Sequence, residues 1–85
     1  MPYEARWPEA FKKGFKALTK KDAPLKERLI KKMEKILEHP ENADLKTGNL
    51  KGAYGVHVNP YVILYRIVGN VVEFLLVDHH DKIYK

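Results

Sequence analysis

Eighty-five residues make one domain, because a chain this short buries only about 60 to 65% of its unfolded surface and cannot support two cores. Cysteine and serine are both absent, which excludes disulfides, thiolate metal sites and Ser-His-Asp or Cys-His hydrolases, and leaves Thr19 and Thr47 as the only aliphatic hydroxyls. The net charge of +5 is uneven, with eleven Lys and Arg against five acids in residues 1–35 and five against six in residues 36–85, so the basic half fits either a polyanionic partner or lysines that solvate helix faces.

Tyr3 to Trp7 alternates aromatic and charged residues, which predicts a short edge strand. Pro8 ends it and suits the first turn of a helix over Pro8 to Thr19, whose apolar stripe is Phe11, Phe15 and Leu18. Lys12, Lys16 and Lys20 form a parallel basic stripe. Gly14 weakens that helix unless another backbone packs closely there. Asp22 is the expected N-cap of a second helix, on which Leu25, Leu29, Met33, Ile36 and Leu37 recur at helical spacing. Arg28, Lys31, Lys32 and Lys35 lie among its remaining positions. Pro40 disfavours helical geometry at His39, which is therefore read as a C-terminal cap.

Glu41 to Asn49 is polar and reads as an irregular connection, and a strand is expected over Gly55 to Asn59. The chain ends in a hairpin. Two β-rich runs, Tyr61 to Val68 and Val71 to Asp78, flank Gly69-Asn70, a two-residue loop whose members both tolerate positive φ. That loop sets Val68 against Val71, Ile67 against Val72, Arg66 against Glu73 and Tyr65 against Phe74. Continued without interruption, it places Ile63, Tyr65, Ile67, Val72, Phe74 and Leu76 on the face that takes the helices. Val62, Leu64, Arg66, Glu73, Leu75 and Val77 fall on the other. The expected fold is α+β, two N-terminal helices packed on one face of a small antiparallel β-sheet, as a single domain over residues 1–85.

His57, Asp78, His79, His80, Asp81 and Tyr84 are the one dense set of acid/base groups, gathered at the open end of the hairpin. Imidazoles titrate near ~6.5 and suit proton transfer at neutral pH. The same residues equally describe a strand ending at the surface. Neighbours on a strand point to opposite faces, so His79 and His80 cannot both enter one site while the strand continues. No metal-ligand spacing, phosphate-cradling loop or dinucleotide fingerprint is present, so no cofactor is expected. No apolar run nears the about 18 residues that span a bilayer, and no signal segment follows Met1, which leads to a cytoplasmic expectation.

Several segments in order resemble the RelE/ParE superfamily of toxins from toxin–antitoxin modules, and within it the YafQ-like branch. They are Leu50-Lys51-Gly52, then Val56-His57-Val58-Asn59-Pro60, then Ile63-Leu64-Tyr65-Arg66-Ile67, the hairpin, and His80 followed four residues later by Tyr84. The resemblance spans nearly the whole chain. It implies a RelE-like fold and a metal-independent endoribonuclease, an mRNA interferase acting at the ribosome and neutralised by a cognate antitoxin through which it oligomerises. In that reaction the ribose 2′-hydroxyl attacks the adjacent phosphate. By position, His57 and His80 fall on the branch's catalytic histidines and Tyr84 on its terminal aromatic. Tyr61 stands where the branch has an acid, and Asp44 is nearest to a further histidine. Lys51 and Arg66 are the candidate cations for phosphate charge, with Tyr61 as a further substrate contact. Lys12, Lys16, Lys20, Arg28, Lys31, Lys32 and Lys35 are expected to dock on ribosomal RNA. The superfamily also implies alternatives: a non-catalytic ParE-type toxin that binds a protein such as gyrase, or a member that binds RNA without cutting it.

Overall fold

The computed structural model describes residues 3–42, 45–46 and 53–83. In chain order these form β1 (Glu4–Arg6), α1 (Glu9–Thr19), α2 (Ala23–Glu38), β2 (Leu45–Lys46), β3 (Ala53–Val58), β4 (Tyr61–Val68), β5 (Val71–His79) and α3 (His80–Ile83). The five strands make one sheet in the order β1-β5-β4-β3-β2. All pairings are antiparallel except that of β1, which lies parallel to β5 with Ala5 opposite Val72. The α+β expectation holds, with a mixed sheet in place of a purely antiparallel one. No described helix is long and apolar enough to cross a membrane.

Local chemistry explains the helix limits. The Pro8 backbone is extended at φ −59° and ψ 157°, so it precedes α1 as N-cap and the helix starts one residue later than expected. Asp22 caps α2, its carboxylate accepting the Leu25 N–H at 3.1 Å. His39 ends α2, donating its backbone N–H to the Lys35 carbonyl at 3.2 Å. Just beyond, the Tyr65 hydroxyl donates to the Pro40 carbonyl at 2.6 Å, so a buried phenol from the centre of the sheet holds the segment that leaves α2.

Both helices bury their apolar stripes on one face of the sheet. Phe11 and Phe15 of α1, and Leu25, Leu29, Met33 and Ile36 of α2, share one core with Val56, Val58, Ile63, Tyr65, Val72, Phe74 and Val77. Each such side chain is worth about 1.5 to 3 kcal/mol when fully buried, so this face dominates stability. Trp7 meets the rings of Phe11 and Phe15 edge-on, each at 5.1 Å between centroids, and thereby closes the core beside β1. Gly14 of α1 faces β5: a Cβ there would lie 3.7 Å from the Val77 carbonyl oxygen.

The hairpin departs from its expected register halfway along. From the turn to Tyr65–Phe74 the pairs are those expected, and of the two loop residues only Gly69 takes positive φ, 61°. Beyond that point Leu64 pairs with Leu76, Ile63 with Val77, Val62 with Asp78 and Tyr61 with His79. Leu75 is thus an extra residue on β5, a β-bulge that exchanges the two faces for everything after it. Val77, expected on the second face, is 2% exposed in the core, and Leu76, expected in the core, is 40% exposed.

Candidate functional site

Three backbone decisions bring His57 and His80 together. Pairing of His57 with Val62 puts its side chain on the sheet face opposite the helices. The bulge at Leu75 puts Asp78 on that same face, opposite Val62, and turns His79 to the helix side. The chain then leaves the strand at His80, whose backbone N–H donates to the Pro60 carbonyl at 2.9 Å. The result is a stacked pair of imidazoles with centroids 5.8 Å apart and planes at 27°.

His79 occupies a different environment. Its ring meets Tyr61 edge-on at 5.9 Å on the helix-side face, and its Nδ1 accepts the Asp81 N–H at 3.2 Å. The Asp81 carboxylate lies between the two histidines, 3.8 Å from His79 Nδ1 and 3.7 Å from His80 Nδ1. Those separations are beyond direct hydrogen bonding.

The turn between β3 and β4 ties this pair to α2. Pro60 accepts from His80, and the Asn59 carbonyl beside it accepts from Arg28 Nη2 at 2.8 Å. No sequence spacing signals that link, since Arg28 and Asn59 are joined only by packing α2 over the edge of β3. Arg28, Lys31, Lys32 and Lys35 line a groove with His57, Val58 and Asn59. The other basic stripe is separate: Lys12 and Lys16 are exposed on α1 and Lys20 at its C-cap, with Lys12 Nζ 4.0 Å from Glu9.

Two expected site residues lie elsewhere. Tyr61 pairs with Val58 and His79 and packs against the core, so strand alternation directs it away from His57. Arg66 is four positions from Val62 on β4, about 13 Å along the strand, toward the turn. There its Nε donates to Glu73 Oε1 at 2.5 Å, as the cross-strand register anticipates. The other carboxylate oxygen lies 3.4 Å from Arg6 Nε, an arginine that the sequence reading did not connect with the hairpin because β1 joins β5 only in the folded sheet. Lys51, Tyr84 and Asp44 lie outside the described residues.

Comparison with known proteins agrees with this architecture. The family model described as the ParE toxin of the type II toxin–antitoxin system parDE matches residues 5–84. Among solved structures, the chain is similar to one in the E. coli DinJ–YafQ toxin–antitoxin complex, at 16% identity over 100% of both chains with a TM-score of 0.77. It is also similar to a mutant of E. coli toxin RelE in the free state, at 22% identity over 96% of this chain and 87% of that one, TM-score 0.74. A third likeness is to the chromosomal ParDE system of P. aeruginosa, at 11% identity over 91% and 95% of the chains, TM-score 0.70. At these identities the likenesses establish the fold. No curated protein sequence matches the chain.

Proposed function

The chain belongs to the ParE toxin family of type II toxin–antitoxin systems, and from that premise we propose that it is a toxin that cleaves mRNA at the ribosome, with His57 and His80 as its acid/base pair. The observation that carries this reading is the pairing itself, two imidazoles stacked 5.8 Å apart at the open end of the hairpin. One ring takes the proton of a ribose 2′-hydroxyl as that oxygen bonds to the adjacent phosphorus. The other gives a proton to the 5′-oxygen as the P–O bond to it breaks. The products are a 2′,3′-cyclic phosphate and a 5′-hydroxyl end, and no proton or electron is left unassigned. Positioned acid/base groups of this kind contribute about 10² to 10⁴-fold each to rate.

Exposed cations of the two helices suit attachment to ribosomal RNA, and Tyr84, four residues beyond His80, is suited to stacking on a base. Inhibition by a cognate antitoxin follows from the toxin–antitoxin assignment. A second reading is favoured by the family model, which is that of ParE toxins: a toxin that binds a protein such as gyrase and cuts nothing.

Inducing the gene in a bacterial host separates the two. Cleavage predicts growth arrest with new mRNA ends bearing 5′-hydroxyls. Arrest with DNA damage and intact mRNA would establish the protein-binding reading in its place.

A further inference from the structure

Between α2 and β3 runs a groove of about 350 Å³ into which the helix presents Arg28, Lys31, Lys32 and Lys35, and whose far wall is His57, Val58 and Asn59. No acid is among these lining residues. The groove continues past Lys32, Lys35 and Val56 toward His39, where Glu38 is the single carboxylate among the described lining residues. From Arg28 to Lys35 is seven residues, or about 10 Å of helix.

That placement has an energetic consequence. Arg28 and Lys32, and Lys31 and Lys35, are like charges at i,i+4, each pair destabilising the helix by about 0.2 to 0.5 kcal/mol. Glu27, 3.6 Å from Lys31, offsets one of the four cations. Lysines that served solubility alone gain nothing from being stacked along one wall, whereas an anionic strand lying in the groove turns the repulsion into binding energy. Arg28 is also fixed: its donation to the Asn59 carbonyl anchors it to the turn after His57, and a guanidinium has further N–H donors for a phosphate.

The geometry points to the α2–β3 groove as the track for the phosphate backbone of the RNA strand whose scissile phosphate lies between His57 and His80. This rests on the RNA-cleavage reading and adds to it which cations hold the substrate strand, those of α2 and not those of α1. The strand passes over the edge of β3 at His57 and follows the helix. Contacts to phosphate carry no sequence information, so the groove sets register and affinity without choosing the base.

A fully 2′-O-methylated RNA oligonucleotide binds but cannot be cut, because its capped 2′-oxygens cannot attack, and so it measures the groove independently of catalysis. Binding to the full chain across a salt series is compared for wild type, Lys32→Ala/Lys35→Ala, and Lys13→Ala/Lys21→Ala, which removes equal charge outside the groove. The groove variant is expected to weaken binding equally for all sequences and to flatten the log–log salt slope by about 1.4, two phosphates at 0.7 each. The control should change the slope less than half as much. Equal changes in both variants, or none in the groove variant, overturn the assignment. So does wild-type binding of hexaglutamate in preference to the RNA that is lost with Lys32 and Lys35, which makes the groove an acidic-peptide site. Failure of the cleavage reading is seen separately, as absence of 5′-hydroxyl mRNA ends from induced wild type whatever the binding result.

Discussion

His80 stacks on His57, 5.8 Å between ring centroids, because Leu75 is one residue too many for the strand opposite it. Without that bulge, Val62 would face Val77 and Tyr61 would face Asp78, leaving His79 on the face of His57 and sending its successor away. With it, Asp78 takes the place opposite Val62, His79 turns to Tyr61 at 5.9 Å, and His80 is the histidine delivered to the pair. One inserted residue in the backbone thus selects which of two adjacent imidazoles stands beside His57.

The same bulge is open to a stability test. Val77 is 2% exposed and Leu76 40% exposed. Val77→Ala should cost about 2 kcal/mol or more by leaving a hole in the core, and Leu76→Ala well under about 1 kcal/mol despite removing more carbon. Urea unfolding of the two variants checks this, and the reverse order would restore the unbulged register.

Gly14 offers a change in the opposite direction. A Cβ added there meets the Val77 carbonyl oxygen at 3.7 Å, ordinary van der Waals contact, while alanine gains up to about 1 kcal/mol of helix propensity over glycine. Gly14→Ala should therefore raise the melting temperature, by at most about 4 to 8 °C for a domain of this size. A bulkier residue, such as leucine, should lower it, because α1 would have to move off β5.

Arg66 and Arg6 share the Glu73 carboxylate near the turn end of the hairpin. Both arginines remain half or more exposed, so the cluster is a modest brace. Arg66→Ala is expected to cost under about 1 kcal/mol, and Glu73→Gln about 1 kcal/mol, each leaving mRNA cleavage within about twofold of wild type. A tenfold loss of cleavage at unchanged stability in Arg66→Ala would return that guanidinium to the reacting phosphate.

Much of this architecture is legible in the sequence where the determinant is local. The Asp22 cap, the end of α2 before Pro40, the Gly69-Asn70 turn and the Arg66–Glu73 pair each follow from neighbours a few residues apart. The bulge does not, because Val71 to Val77 is apolar at all but Glu73, and a run with few polar markers fits either face equally well. Tyr61 is different: it stands two residues before Ile63, so alternation along β4 by itself puts it on the helix side, where Val58 and His79 lie beside it. Long-range links were out of reach altogether: the parallel pairing of β1 with β5 that brings Arg6 to Glu73, and the bond from Arg28 to Asn59, depend on how distant segments meet.

In the proposed reaction His80, paired with His57, performs acid/base chemistry on RNA while its neighbour His79 does not. The most direct measurement maps 5′-hydroxyl mRNA ends after induction of wild type, His79→Ala and His80→Ala at matched protein levels. His79→Ala is expected to cleave within a few-fold of wild type and His80→Ala to lose about 10²-fold or more, with growth restored. Cleavage undiminished in His80→Ala, or lost in His79→Ala alone, would contradict it.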